Sequence, residues 1–90
     1  MSVVLVTGAS TGFGRLTVEA LNDRGHRVFA GIRDPHGRNT TATQELTAIG
    51  VRVIDLDVTD QDSADRAITE LLAETGRLDV IVNNAGGIFV

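Results

Sequence analysis

The 90-residue chain lacks cysteine, lysine, tyrosine and tryptophan, and it contains a single proline. Without cysteine there is neither a disulfide framework nor a thiolate metal site, and two histidines are the soft metal ligands that remain. No apolar run approaches the roughly 20 residues that span a bilayer, so we expect no membrane segment. The first residues carry no basic region of a secretory signal. An acidic chain without targeting signals predicts a cytoplasmic protein.

Positive charge is also scarce. Twelve acidic residues stand against eight basic ones, all arginine, for a formal net charge of -4, and no basic run occurs. A nucleic-acid-binding face needs clustered cations to neutralise phosphates, so the composition disfavours nucleic acid as a partner. Hydrophobic residues make up 42% and charged residues 22% of the chain, as in ordinary globular proteins, which argues against disorder.

Four short apolar runs rich in β-branched residues alternate with segments of helical periodicity. Continuous apolar runs suit strands that are covered on both faces, which is typical of parallel sheets. Right-handed crossovers between such strands build a doubly wound α/β sheet. The strands are predicted at residues 3–6, 28–30, 51–54 and 80–82. Since the chain is short for this architecture and its last strand is as apolar as a central one, we expect an incomplete domain.

Helix ends and inward faces follow from the same pattern. Gly25, Gly50 and Gly76 each follow a helical segment, where glycine adopts the left-handed conformation that ends a helix. Residues 59–62 resemble an acidic N-terminal cap, and residues 34–39 are predicted to be a loop. The apolar stripes predicted to face the sheet are Phe13, Leu16, Ala20 and Leu21, then Ala42, Leu46 and Ile49, then Ala64, Ala67, Ile68, Leu71 and Leu72.

The most informative segment is TGASTGFG, residues 7–14, which joins the first strand to the first helix. A helix N-terminus carries unpaired N–H groups and a positive partial charge, and so it binds phosphate. The glycines allow a tight turn and the close approach of a pyrophosphate, while Ser10 and Thr11 add hydroxyl donors. The segment lacks the Gly-Lys-Ser/Thr of a P-loop. We therefore predict a dinucleotide ligand; the alternative is a turn that needs glycine for steric reasons alone.

Two later segments point to the same place. Asp57 and Val58 follow the third strand, and NNAG, residues 83–86, follows the fourth. In an open parallel sheet, ligands lie beyond the carboxyl ends of the strands, where the strand order reverses. With the order 3-2-1-4, the glycine-rich segment and residues 83–86 flank one crevice, with Asp57 along its rim. Taken alone, Asp57 has the alternative interpretation of a solvated strand-end carboxylate, and the asparagines that of a turn.

Together, TGASTGFG, a strand followed by LDV, and NNAG resemble the short-chain dehydrogenase/reductase family over essentially all 90 residues. The resemblance implies a Rossmann-like sheet of which residues 1–90 are the dinucleotide-binding half-domain. It implies hydride transfer between a nicotinamide cofactor and a small carbonyl or alcohol substrate. It also implies a homo-oligomer, since association is common in the family.

By the same resemblance, individual residues acquire roles around the cofactor. Asp57 would receive the adenine amino group, Val58 would contact the adenine, and Asn83 would tie the fourth strand to its neighbours. The residues implied around the pyrophosphate and its ribose are Gly8, Ser10, Thr11, Gly12, Phe13 and Gly14, and those implied on the adenine-ribose side are Asn84, Ala85 and Gly86.

The end of the second strand bears on the choice between NADP and NAD. An NAD site normally places an acid on the adenosine ribose about 20 residues past the glycines. The resemblance puts Ile32 at that position, and Arg33 follows it. Because a guanidinium presents a planar fork of donors that suits a 2′-phosphate, we predict NADP, with NAD as the alternative. The other interpretation of Arg33 is a solvated surface charge.

Three further residues are expected near the cofactor. Thr11 stands where some NADP-binding members of the family carry a base. Asp34 would repel a 2′-phosphate if it pointed inward, but with Pro35 after it we expect Asp34 to start the loop. Arg15, on the first turn of the helix, is expected to point to solvent, with a phosphate contact as the alternative.

The chain lacks the catalytic residue types that the resemblance implies. The resemblance implies a tyrosine as general acid and base, a lysine in a Tyr-x-x-x-Lys pair and a serine, yet the chain has no tyrosine or lysine. Ser63, expected at the amino side of the sheet, does not substitute, and no catalytic residue is predicted here. Three hypotheses stay open: an oxidoreductase whose proton-transfer residues lie beyond Val90, a dinucleotide-binding module without chemistry, and a truncation fragment. Asp60, Asp62 and Asp65 are expected to complement a helix dipole rather than bind metal.

Overall fold

The computed structural model describes residues 1–84, whose four strands form one parallel sheet. The strand order is β3-β2-β1-β4, which confirms the predicted doubly wound arrangement. The strands are β1 (Val3–Thr7), β2 (Arg27–Ile32), β3 (Arg52–Asp55) and β4 (Val80–Val82). The helices between them are α1 (Gly12–Asp23), α2 (Thr40–Ala48) and α3 (Gln61–Thr75).

Helices cover both faces of the sheet, and β1 supplies side chains to two apolar layers. On one face Val6 packs in a cluster with Val18 of α1 and Leu46 of α2. On the other face Leu5 packs in a cluster with Leu71 of α3. Because both sides of β1 are buried, its sequence is an unbroken apolar run rather than an alternating one.

The predicted helix ends are confirmed. Gly25, Gly50 and Gly76 have φ angles of 84°, 92° and 77°, the left-handed region that terminates a helix. At the start of α3 the carboxylate of Asp60 accepts hydrogen bonds from the N–H groups of Asp62 and Ser63. The cap predicted within residues 59–62 is therefore Asp60, and it explains one member of the acidic group there.

The predicted inward face of α1 is wrong at Phe13, Leu16 and Ala20 and is confirmed at Leu21. Phe13 and Leu16 are 81% and 59% exposed, and Ala20 is exposed as well. The buried positions are Gly14 and Val18, with Leu21 packed against the core at the same face. Because a glycine has no apolar side chain, the periodicity of apolar residues gave no sign that Gly14 is buried.

The other two helices agree with prediction except near their edges. Leu46 of α2 and Leu71 of α3 are fully buried, whereas Ile49 and Leu72 are 48% and 42% exposed. Ile49 follows the last residue of α2 rather than lying within it. Leu72 neighbours Leu71 and points about 100° away around the helix, so both cannot face the sheet.

At the amino edge of the sheet, Asp79 ties the start of β4 to β1. Its Oδ2 accepts a hydrogen bond from the Val3 N–H at 2.7 Å and another from Arg77 Nε at 3.0 Å. The Val3 N–H, and after it the Arg77 charge, lower the pKa of Asp79. A lowered folded-state pKa means that the stabilisation is complete above the ordinary carboxyl pKa of about 3.9 and is lost as pH falls through the folded value.

Below about pH 4 we expect the free energy of unfolding of Asp79→Asn to fall less steeply with decreasing pH than that of the unaltered protein, because a neutral amide has no proton to gain. Urea unfolding at a series of acidic pH values measures this slope. Asp55→Asn, at an exposed position at the end of β3, is the matched control. Equal slopes in the two variants would contradict a stabilising role for the Asp79 charge.

Candidate functional site

A cleft of about 850 Å³ opens beyond the carboxyl ends of the strands. Its walls are the turn after β1, the start of α1, the end of β2 with the turn that follows, and the segment after β3. The predicted site residues that line it are Gly8, Ser10, Thr11, Gly12, Phe13, Arg33, Asp57, Val58 and Asn84. Gly14 is buried beneath the turn, and Ala85 and Gly86 lie outside the described residues.

The start of α1 faces this cleft without a side-chain cap. Thr11 is the N-cap residue in an extended conformation, its side chain makes no capping hydrogen bond, and the first turn contains no acid. The start of α3, by contrast, is capped by the carboxylate of Asp60. An uncapped helix start presents free N–H donors and the positive end of the helix dipole. This part of the cleft therefore suits an anion.

Glycine is required in the turn for two separate reasons. A Cβ built on Gly14 would lie 2.7 Å from Asn84 Nδ2, 2.9 Å from the carbonyl carbon of Gly8 and closer still to the Gly8 oxygen. Gly14 is thus explained by packing. Gly12 has φ 62° and no heavy atom within 4 Å of its Cβ position, so it leaves open space beside the helix start. Glycine at position 12 is thus explained by its left-handed backbone rather than by packing.

A hydrogen-bond network joins the glycine-rich turn to the end of β4. Thr7 Oγ1 accepts a hydrogen bond from the Asn84 N–H at 3.0 Å and lies 3.1 Å from Asn83 Oδ1, to which it donates. Asn84 Nδ2 donates to the Gly8 carbonyl at 3.3 Å. These contacts give Asn83 the strand-tying position expected of it, and they orient the wall of the cleft where the strand order reverses.

Asp57 is held at the rim as an ionised carboxylate. Its Oδ1 accepts hydrogen bonds from the hydroxyl of Thr59 at 2.6 Å and from the Thr59 N–H at 3.0 Å. The Thr59 hydrogen bonds, aided by the charge of Arg33, lower the pKa of Asp57. The carboxylate is therefore charged at neutral pH, and the Thr59 hydrogen bonds fix it in place.

The expectation that Ser63 lies at the amino side of the sheet is wrong. Helix α3 begins soon after β3 ends, so its first turn lies at the carboxyl edge, beside the cleft. Ser63 is 6% exposed, and its Oγ accepts a hydrogen bond from the Asp57 N–H at 2.9 Å. The contact anchors the segment that carries Asp57.

Ser63→Ala is expected to lower the free energy of unfolding by about 1–3 kcal/mol, because it leaves the Asp57 N–H without its partner. Urea unfolding measures the loss. Thr69→Ala, an exposed hydroxyl on the same helix, is the matched control and should change stability by less than about 0.5 kcal/mol. A Ser63→Ala variant as stable as the control would show that this hydrogen bond does not anchor the segment.

The turn after β2 brings two cations to the cleft, of which the sequence indicated one. Arg33 lines the cleft as predicted, and Arg38 lines it as well. Among residues 1–84 neither forms an ion pair. The carboxylate of Asp34 accepts a hydrogen bond from the Arg38 N–H at 3.1 Å, so it folds back onto its own turn. Ile32, which the resemblance puts at the ribose position, lines the cleft too, and the lining residues that the sequence did not indicate are Arg38, Asn39, Leu56 and Thr59.

Arg15 is engaged elsewhere. Its guanidinium donates to Glu45 at 2.8 Å and to Glu19 at 3.3 Å, and these carboxylates, Glu45 foremost, raise the pKa of Arg15. It links α1 to α2 and is absent from the lining of the cleft. Within residues 1–84 there is no group of three His, Cys, Asp or Glu side chains arranged to hold a metal ion. No helix in that part of the chain is long and apolar enough to cross a membrane.

Comparison with curated proteins shows a relative that extends well beyond this chain. The 3-ketodihydrosphingosine reductase of Bacteroides thetaiotaomicron is 39% identical over 85 residues, which cover 93% of this chain and 28% of that protein. The chain thus spans less than a third of the length of this relative.

Solved structures show the same fold with either form of the nicotinamide cofactor. A variant of actinorhodin polyketide ketoreductase with NADPH matches at a TM-score of 0.81 and 34% identity, over 94% of this chain and 33% of that one. A 3-ketoacyl-(acyl-carrier-protein) reductase from Brucella melitensis complexed with NADH matches at 0.74 and 27% identity, over 89% and 32%.

The family model of the short chain dehydrogenases matches residues 2–89, which is nearly the whole chain. The strand order and the glycine-rich turn at the head of α1 agree with that match. The chain therefore belongs to the short-chain dehydrogenase/reductase family of oxidoreductases, and it forms part of a Rossmann-like domain that is incomplete within these residues.

Proposed function

We propose that residues 1–90 are the dinucleotide-binding half-domain of an NADP-dependent oxidoreductase. The protein would transfer a hydride between the nicotinamide and a small carbonyl or alcohol substrate. The observation that carries the proposal is the uncapped start of α1 opening into the cleft where the strand order reverses.

The residues around the cleft fit a dinucleotide. The N–H groups at the start of α1, with the hydroxyls of Ser10 and Thr11, would hold the pyrophosphate in the space that Gly12 leaves open. The ionised Asp57 would accept the adenine amino group, and the half-exposed Val58 would supply apolar surface to the ring. Phe13, Gly8 and Gly14 would shape the turn, and Asn84, with Ala85 and Gly86, the adenine-ribose side.

The preference for NADP rests on the end of β2. Ile32, at the position where an acid would bind the ribose of NAD, is 1% exposed and apolar. Arg33 follows it at the cleft with no ion pair among the described residues. The acid beside it, Asp34, bonds the Arg38 N–H. A guanidinium with a free fork suits a 2′-phosphate, and NAD remains the alternative.

The chemistry of the reaction divides between the cofactor and residues outside this chain. When bound, the nicotinamide supplies or accepts the hydride. The residues of this chain bind and orient the dinucleotide, and none is assigned to proton transfer. We propose that the tyrosine and lysine characteristic of the family, together with the substrate site, lie elsewhere in a longer protein. A binding module without chemistry is the second candidate. The cytoplasmic location and the homo-oligomer stay predictions.

The test compares the dissociation constants of NADPH and NADH by nicotinamide fluorescence in the full-length protein. NADPH is expected to bind more tightly. Arg33→Ala should weaken NADPH about tenfold to 100-fold, since hydrogen bonds between charged groups contribute about 1.5–3 kcal/mol. NADH should change less than about twofold.

The control is Arg24→Ala, which removes the same charge at the far end of α1. If NADH binds as tightly as NADPH, or if Arg33→Ala weakens both equally, the preference for NADP is wrong. If neither binds, the dinucleotide site itself is refuted.

A further inference from the structure

Asp34 organises the turn between β2 and α2. It is the one described residue other than glycine with a left-handed backbone, at φ 50°. Its carbonyl accepts hydrogen bonds from the N–H groups of Gly37 at 3.3 Å and Asn39 at 3.2 Å, and its carboxylate accepts one from the Arg38 N–H at 3.1 Å. A left-handed conformation costs about 1–2 kcal/mol for most residues, and these bonds offset that cost.

Two neighbours complete the turn. A Cβ on Gly37 would lie 2.7 Å or less from both carboxylate oxygens of Asp34, so glycine there makes room for the carboxylate to fold inward. The side-chain amide of Asn39 donates to the backbone carbonyl of Arg33 and closes the turn from the other side. The backbone of Arg38 is therefore held at two adjacent points, through Asp34 and through Asn39.

The consequence is that Arg33 and Arg38 line the same cleft. Helix α2 begins at Thr40, and its N-cap residue, Asn39, lines the cleft as well. The helix start has no side-chain cap and no acid in its first turn, so the positive end of its dipole adds to the two charges. The acids beside this wall are Asp34, bonded within the turn, and Asp57, bonded to Thr59. A doubly charged phosphate is best held by more than one such donor.

We propose that Arg38 is a second phosphate-binding residue of the cleft and that Asp34 is the positioning residue that sets it. The inference rests on the proposed function, because it takes the 2′-phosphate of NADP as the ligand.

Two substitutions of Asp34 distinguish a purely electrostatic effect of its carboxylate from a role in positioning Arg38. If its carboxylate acts merely as a negative charge near the phosphate, removing the charge strengthens phosphate binding, whichever residue replaces it. If Asp34 positions Arg38, the replacement matters. Asparagine is neutral, keeps an acceptor for the Arg38 N–H and tolerates the left-handed conformation, whereas alanine loses the acceptor and disfavours that conformation. Asp34→Asn should therefore bind the phosphate more tightly than Asp34→Ala does.

The probes are adenosine 2′,5′-bisphosphate and 5′-AMP, which differ by the 2′-phosphate alone, titrated calorimetrically into the full-length protein. Arg38→Ala is expected to weaken the bisphosphate about tenfold, as the loss of one charged hydrogen bond predicts. Asp34→Ala should bind it about threefold to tenfold more weakly than Asp34→Asn. The affinity for 5′-AMP should stay within about twofold in all variants, and a variant that fails to fold is recognised by losing both ligands.

The inference is overturned if Asp34→Ala binds the bisphosphate as tightly as Asp34→Asn, or if Arg38→Ala has no more effect than Arg24→Ala. An unaltered protein that does not prefer the bisphosphate refutes the NADP preference, and this inference with it. If Arg33→Ala removes the preference for the bisphosphate but Arg38→Ala and Asp34→Ala leave it intact, the second phosphate contact is refuted. The preference for NADP then stands.

Discussion

Thr11→Asp is expected to stabilise the fold and to abolish dinucleotide binding. Thr11 is the N-cap of α1, yet its side chain makes no capping bond. An aspartate there accepts the free N–H groups and complements the helix dipole, which should raise the free energy of unfolding by about 1 kcal/mol. The same carboxylate occupies the anion site and repels the pyrophosphate, so the dissociation constant for NADPH should rise about 100-fold or more.

Thr11→Asn separates capping from charge. Asparagine caps a helix as well as aspartate does but carries no charge, so it should give a similar gain in stability with a much smaller loss of affinity. Urea unfolding and fluorescence titration, run on both variants, measure the two effects. Should Thr11→Asp bind NADPH normally, the start of α1 would not be the pyrophosphate site.

Gly14→Ala is expected to cost about 3 kcal/mol of stability and to impair cofactor binding with it. The added methyl group would lie 2.7 Å from Asn84 Nδ2 and closer to the Gly8 carbonyl oxygen. The Gly8 carbonyl is backbone, so relief requires α1 to move away from β1 and the cleft to change shape. Helix propensity alone predicts the opposite sign, because alanine is favoured over glycine within a helix by about 1 kcal/mol.

Gly25→Ala is the matched control for Gly14→Ala. Gly25 has φ 84° with no heavy atom within 4 Å of its Cβ position, so alanine there meets conformational strain but no neighbour. Its cost should be about 1 kcal/mol, with NADPH affinity unchanged. If Gly14→Ala proves as stable as the unaltered protein in urea unfolding, close packing does not require a glycine at this position.

The glycine-rich wall of the cleft was largely predictable because its parts are close together along the chain. Residues 7–14 join a strand to a helix within eight positions, and a glycine in that context has few structural uses. Arg38 was not predictable in this way. It belongs to a turn whose shape depends on the left-handed Asp34 and on Asn39 reaching back to Arg33. Neither feature leaves a periodic or compositional signal.

Helix faces show the same division. Leu46 and Leu71 were predicted as core residues and are fully buried, since a large apolar side chain in a covered helix has one favourable place. In α1 the pattern favoured Phe13 and Leu16, yet both are exposed. The face of α1 that is buried carries Gly14 and Val18, with Leu21 packed against the core, and the two largest apolar side chains at its start lie outside it.

The amino-acid sequence by itself determined the alternation of strands and helices, the glycines that end the helices and the family to which the chain belongs. These depend on backbone preferences and on side chains close together along the chain. Tertiary structure decided which face of α1 is buried, that Ser63 supports Asp57, and that Arg33 and Arg38 share one wall of the cleft. These contacts depend on packing and hydrogen bonding at the edge of the sheet. Separation along the chain does not predict which side chains meet there.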